Sequence, residues 1–531
     1  MKKTNIFICS LIAVATLASC NEFLDTMPDN RAEIDSEQKV QQLLTSAYSE
    51  NEYIMVTELM SDNYDQFNNT YTNRFVEQVW GWEDVSETNN ASPENIWSGY
   101  YTAISSANHA LQALEQIAEE KGEWTTSMLQ EKAEALLCRA YGHFILVNIF
   151  SLNYNKATSG TDLGITYMEA PETTLKPEYS RGNVADVYEK IDRDIQEALP
   201  YISDSYYSVP KYHFNPKAAY AFAARFYLYY EKWDECVKYA TMCLGSAPQT
   251  MLRDYKGIAG MTSSAAAYTD EYINANSNAN LLLVTAYSSV GQTFGAYSTH
   301  KRFAHGNYIT LYETGKADNI WGEPTNLWCP MKTYSGTNRE YNIFWRLPQI
   351  FEYTDPIAGT GYNRTVYPAF TADECLLNRA EAYTMLKEYD LAIQDMNLWV
   401  ANVTKEPVVL TPEYVQEFYN AHEYCYDDAD RMMSTIKKHL HPAFDIEAEG
   451  SVQETMLQCV LGMRRIETMP AGIRWFDIKR YGIEIPRRMM DASGTPLTLL
   501  DVLTVDDPRR AAQLPPKVIS AGVEPNPRNN K

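Results

Sequence analysis

Cys20 is the residue whose setting most plainly prepares it for chemistry. It closes the run Leu17-Ala18-Ser19-Cys20, in which small residues precede a thiol, and it follows Lys2, Lys3 and the apolar stretch Ile6 to Ala18. A lipoprotein signal peptidase needs this order to cut ahead of a diacylated cysteine. Residues 1–19 are therefore expected to be a signal peptide and Cys20 the anchored N-terminus; the alternative is an ordinary leader cut near Ala13-Val14-Ala15. The apolar stretch is too short to span a bilayer. Several acyl chains on one residue would hold the protein to a membrane, each buried methylene contributing about 0.8 kcal/mol. No second apolar run of spanning length is read further along, so the remainder is expected to be soluble.

The usual catalytic spacings do not occur: no phosphate loop, no His-Glu-x-x-His and no Gly-x-Ser-x-Gly elbow. His422, Glu423, Cys425, Asp427, Asp428 and Asp430, followed by His439 and His441, are ligand-type residues without zinc or EF-hand spacing. They read as a solvated acidic loop, with no metal and no cofactor expected. The 69 acidic residues leave a glycosidase pair open, because that chemistry depends on a carboxylate separation that spacing in sequence does not set. Aromatic surface is the more specific signal. The chain has 39 Tyr and 10 Trp, and two irregular stretches, 62–92 and 246–370, combine aromatics with Asn. Sugar rings present C–H bonds on their faces and hydroxyls at their rims, which suits aromatic platforms edged by amides. The candidates are Trp80, Trp82, Tyr297, Trp321 and Trp328, with Asn68 and Asn69. The alternative for each tryptophan and for Tyr297 is a place in the core.

The elements that would position these residues are helical. Tyr100, Ile104, Ala107, Leu111 and Leu114 make one apolar stripe, and Ala133, Leu136, Leu137, Ala140, Phe144 and Val147 another. Asn183 caps a third helix that buries Val184, Val187, Ile191, Ile195 and Ala198. Segments 227–237 and 383–393 read as two copies of one helix-turn-helix unit. In each an aromatic (Tyr227, Tyr383) stands six residues before another (Trp233, Tyr389), and a small residue (Cys236, Ala392) lets the second helix lie close to the first. Two unrelated hairpins are the alternative. Apart from Cys9 and Cys20, seven cysteines remain, without paired spacings; Cys138, Cys236, Cys375 and Cys459 fall in helical patterns and read as small core hydrophobes. The net charge of −24 and the lack of a basic stripe argue against nucleic-acid binding. From Leu514 onward the Pro- and Asn-rich tail reads as extended surface chain.

Four motifs, in order, resemble the SusD/RagB family of outer-membrane lipoproteins. They are Trp97-Ser98-Gly99-Tyr100-Tyr101 with Ile104, Ala107 and Asn108; Glu134 to Tyr141; Leu376 to Tyr383; and Arg464-Arg465 through Arg474-Trp475-Phe476-Asp477 to Arg480. Cys138 stands where Leu is usual in the second, and Met463 and Ala471 replace two glutamates in the fourth. The resemblance implies an all-α, tetratricopeptide-like helical superhelix with large irregular ligand-facing insertions. The corresponding division is an N-terminal region 20–245, an aromatic-rich insertion 246–370 and a C-terminal region 371–531 with the tail. It also implies a protein lipid-anchored to the outer membrane, facing the exterior, that captures a glycan and delivers it to a SusC-like TonB-dependent transporter. A peptide ligand is the second reading and a glycoside hydrolase a distant third. Arg379 with Glu381, and Arg474 with Asp477, are expected to order helix packing rather than to catalyse.

Overall fold

The computed structural model describes residues 34–68, 70, 72–173, 179–261, 264–295, 302–336 and 339–528. Cys20, Asn69 and Tyr297 lie outside them. The first half holds α1 Glu37–Leu44, α2 Ile54–Met60, α3 Arg74–Trp80, α4 Pro93–Lys121, α5 Thr126–Phe150, α6 Val184–Ala198, α7 Pro216–Tyr229 and α8 Trp233–Leu244. Short helices follow: α9 Tyr255–Gly260, α10 Ala265–Tyr272, α11 Val290–Phe294 and α12 Asn307–Tyr312. The last part carries α13 Ala372–Met385, α14 Tyr389–Val403, α15 Pro412–Asn420, α16 Val452–Thr468, α17 Arg474–Arg480 and α18 Pro516–Ser520. Local chemistry sets the main boundaries. Ser92, Thr125, Asn183, Asn215, Thr371 and Ser451 each accept a main-chain N–H at a helix start, and Gly122 ends α4 in the left-handed region at φ 76°.

Neighbouring helices pack in succession: α4 on α5, α5 on α6, α7 on α8, α8 on α13, α13 on α14 and α16. The two copies of the repeat unit match in their turns as well as their helices. Glu231 and Lys387, at equivalent places, both adopt positive φ, 59° and 62°. In both, the next N–H reaches back to the first aromatic, Lys232 N to Tyr227 O and Glu388 N to Tyr383 O, each 2.9 Å. Helix α5 is long and apolar enough to cross a membrane, a run not singled out from sequence, but that run lies wholly inside the fold. Cys138, Cys236, Cys375 and Cys459 are free and buried, as expected of small core residues.

The motif charges are buried and order the packing, but not in the pairs expected. Arg379 forks onto Asp395 (2.8 and 2.7 Å), on the next helix. Glu381 instead accepts from Arg480 (2.5 Å) and Tyr481 (2.7 Å). Arg474 forks onto Asp62 (2.9 and 2.8 Å), and Asp477 pairs with Arg464 (3.1 and 3.0 Å). Arg379 and Glu381 stand two apart on one helix and so face different ways, and each arginine finds a carboxylate elsewhere that accepts two aligned hydrogen bonds.

Strands occupy much of the stretches read as irregular. Sheet β2–β7–β6 joins β2 Asn280–Tyr287, β7 Thr360–Thr371 and β6 Ile350–Asp355, all antiparallel. β4 Lys332–Gly336 and β5 Arg339–Ile343 form a hairpin. A third sheet runs β3–β1–β8–β9, from Phe303–Ala304, Asp65–Phe67, Ile485–Met490 and Pro496–Leu503. Here β1 is antiparallel to β3 and parallel to β8, so the two aromatic-rich stretches meet in one sheet. The tail is likewise tied down rather than loose: Leu514 is buried, and Asn526 Nδ2 donates to Phe150 O (2.8 Å) and Ala512 O (2.6 Å).

Candidate functional site

The structure sends three of the four predicted tryptophans into the core. Trp80, Trp82 and Trp321 are 4, 3 and 2 % exposed. The indole N–H groups of Trp80 and Trp82 donate to Tyr64 O (2.7 Å) and Met60 O (2.9 Å). The Arg487 guanidinium lies 4.6 Å from the Trp80 ring and 3.9 Å from that of Trp82. Trp321 meets Trp399 edge-on at 5.4 Å. A sugar has no free face to stack on at any of the three. Trp328 is half-buried, with Lys256 5.6 Å from its ring. Asn68 is exposed at the end of β1, its main-chain N–H donating to Met490 O (3.3 Å).

Where the two stretches meet, α12 offers what the tryptophans do not. Tyr308 and Tyr312 stand one turn apart on it, with ring centroids 4.8 Å apart. Tyr312 and Leu311 are half exposed, 50 and 49 %. Asn68 follows Phe67, whose ring packs so closely on the residue before α12 that a Cβ at Gly306 would come within 2.5 Å of it. Only glycine lets the helix begin there. A hydrophobic cluster of Phe67, Ala304, Tyr341, Ile343 and Met490, with Tyr308 and Trp345 against it, supports this ledge from below.

Polar bracing makes the ledge rigid. His305 Nδ1 donates to Asn63 O (2.8 Å) and Nε2 accepts from Thr314 Oγ1 (2.9 Å), on either side of α12. Burial lowers its pKa to about 3, so the ring is neutral, as that pattern requires. Glu313, at the end of α12, is buried; burial would raise its pKa, but Lys438, Arg465 and Arg488 outweigh that and bring it down to about 2. It accepts from Lys438 (2.7 Å) and Arg465 (2.9 Å). Asp62 joins the same cations, and Asp65 forks onto Arg488 (3.2 and 3.1 Å). These carboxylates beneath the ledge are committed to ion pairs. They have neither the exposure nor the free lone pairs for general acid–base chemistry. The arrangement is suited to stacking and hydrogen bonding.

The acidic segment after His422 is ordered by its own contacts. Asp428 accepts from Met432 N and Met433 N (3.0 and 2.7 Å), and His439 bridges Asp427 (3.0 Å) and Glu449 (2.6 Å). Among the described residues no three His, Cys, Asp or Glu side chains gather to hold a metal ion. Sequence reading missed Tyr308 and Tyr312. Their signal was a pair of tyrosines at i and i+4 between Gly306 and Gly315, and it is fainter than a tryptophan.

Comparison with known proteins bears on the fold. Residues 22–228 match the SusD-like protein family described as starch-binding, associating with outer membrane. A SusD superfamily protein from Bacteroides thetaiotaomicron superposes with a TM-score of 0.59 at 17 % identity, over 93 % of this chain and 100 % of that one. A putative sugar binding protein from Bacteroides vulgatus gives 0.60 at 16 %, over 94 and 99 %. A SusD-like carbohydrate binding protein from the same organism gives 0.58 at 15 %, over 85 % of each chain. No curated protein matches the chain in sequence.

Proposed function

We propose that the chain is a SusD-like protein, a reading supported by the family match over residues 22–228 and by the shared fold, and that it captures a glycan at the outer cell surface without cleaving it. It would then hand the glycan to a SusC-like TonB-dependent transporter in the membrane to which Cys20 anchors it. The observation that carries this reading is the Tyr308–Tyr312 pair on a braced ledge, where Tyr312 is half exposed and Tyr308 half-buried beneath it. A preformed aromatic surface gains affinity by stacking on sugar faces without ordering side chains first. The two Bacteroides vulgatus proteins of this fold, described as carbohydrate and sugar binding, support the ligand class.

The test is retention in native gels cast with starch, xylan or β-glucan. At least one polysaccharide should retard the parent protein, and Tyr312→Ala should migrate faster in that gel with an unchanged melting temperature. Retardation by none of them, or equal retardation of parent and variant, would overturn the reading or its site respectively. The transporter partner is tested separately, by affinity capture from detergent-solubilised outer membranes, where a large barrel protein should co-purify.

A further inference from the structure

Helix α4 carries a second stripe at the margin of the core, where Trp97 meets the buried Phe150 edge-on at 5.0 Å. Ile96, Tyr100, Ile104 and Ala107 point inward and are buried, whereas Trp97 and Tyr101 are half-buried and Ser98 and Thr102 are exposed. This second stripe forms one wall of a cleft of about 500 Å³, closed by Thr166 to Ala170 on one side and by Lys517 to Val523 of the tail on the other. That volume falls within the range of small-ligand sites.

The wall opposite α4 is fixed by buried side chains. Tyr101 Oη donates to Thr166 O (2.8 Å) and Asn108 Nδ2 to Met168 O (3.0 Å). Met168 N donates to His143 Nε2 (2.9 Å), and Arg139 Nη1 reaches both Asn108 Oδ1 (3.1 Å) and Glu169 O (3.2 Å). His143, stacked on Tyr167 at 3.8 Å, has its pKa lowered by burial to about 3 and so stays a neutral acceptor. The tail wall is held by Arg181 Nη1 to Glu524 O (3.0 Å) and by Asn526. The cleft therefore exists before any ligand arrives, and binding need not order its walls.

Its chemistry is that of a neutral, hydroxyl-rich ring. Trp97 and Tyr101 supply aromatic surface, their centroids 5.0 Å apart. Among the described residues the Thr102 and Ser105 hydroxyls have no hydrogen-bond partner and stand at the wall as donors and acceptors. Of the two charged side chains in the lining, Lys517 is paired with Glu94, and Glu172 accepts a hydrogen bond from the Tyr179 hydroxyl. The one carboxylate left without a counter-charge, Glu172, is exposed at the edge of the cleft and would repel an anion.

We infer that this cleft is a second saccharide site, taking a mono- or disaccharide, apart from the Tyr308–Tyr312 ledge. The inference rests on the glycan-capture reading for its ligand class. It is tested on the full chain by saturation-transfer NMR with maltose, cellobiose, xylobiose and lactose, beside the polysaccharide gels. At least one disaccharide should bind the parent, keep its affinity for Tyr312→Ala, and lose tenfold or more for Ser105→Trp and for Thr102→Trp, which fill the cleft. Thr102 is exposed, so that variant decides the matter if Ser105→Trp melts early. Disaccharide binding indifferent to the filled cleft would overturn the inference. Polysaccharide retention with no disaccharide bound would overturn it while glycan capture stands, and binding of neither would overturn both.

Discussion

Arg487 shows how far a single side chain can redirect the meaning of others. It lies between Trp80 and Trp82, its guanidinium donating to Leu59 O (2.8 Å), Met60 O (3.0 Å) and Ser61 O (2.9 Å). Burial lowers its pKa to about 9, so it remains charged at neutral pH. The indoles offset that burial by cation–π contact, and in doing so they give up their faces to the protein. Trp82→Ala should accordingly destabilise the fold by ~3–5 kcal/mol, seen as a lower denaturant midpoint. Any loss of glycan retention should appear only where the protein has begun to unfold. That Trp80 and Trp82 are core residues was not legible locally, because the cation that covers them comes from β8, far along the chain. That aromatic and amide residues gather in the two stretches was legible, and Asn68 is exposed at the end of β1.

At the scale of elements, the helical pairs could be read because their periodicity and caps are local. Asn183 caps α6, accepting from Asp186 N at 2.8 Å, as its spacing indicated. The strands could not be read so: β1 and β3 are three and two residues long, and β1 is buried on both faces, without alternation. The repeat turns hold an unused margin. Glu231 occupies a left-handed position, and burial raises the pKa of its carboxyl, so both its backbone and its charge are costly there. Glu231→Gly should raise stability by about 1 kcal/mol, read as a higher melting temperature, and a lower one would show that the side chain has a role the turn conceals. The 421–451 segment behaves differently. His439 loses some affinity for its proton through burial, but Glu449 and Asp427 outweigh this and raise its pKa above 6.5. A raised folded value means that its contribution is full below the unfolded pKa and is lost as pH rises through the folded one. The melting temperature of the parent should therefore exceed that of His439→Gln by more at pH 5.5 than at pH 8.5, with a constant gap refuting the bridge.

Across the whole molecule, a surplus of acidic residues, −24 in net charge, coexists with a core held by buried arginines. Asp62 is the centre of one such knot, facing Arg465 (3.3 Å), Arg474 (2.8 Å) and Lys438 (3.8 Å). Asp62→Asn would leave three buried cations short of a counter-charge, and removing one partner of a buried pair costs ~3–5 kcal/mol. The expected result is a large fall in the denaturant midpoint, together with weaker glycan retention because the same cations brace Glu313 under α12. The family motifs made these arginines visible in sequence and marked them as structural; their partners were not visible, since a fork closes on whichever carboxylate the fold delivers.

The parallel pairing of β1 with β8 also sets a clock. Asp62 and Asp65 are made early, whereas the arginines that match them arrive 403 to 423 residues later. Closing so long a loop is entropically costly and slow compared with winding the helices between. A chain halted before residue 464 would offer Lys438 to Asp62 but neither Arg465 nor Arg474, would leave Asp65 without Arg488, and so would keep its first sheet open. The ledge that α12 forms is therefore finished last, by the same event that completes the molecule, and a nascent or truncated chain has no half-functional form to display.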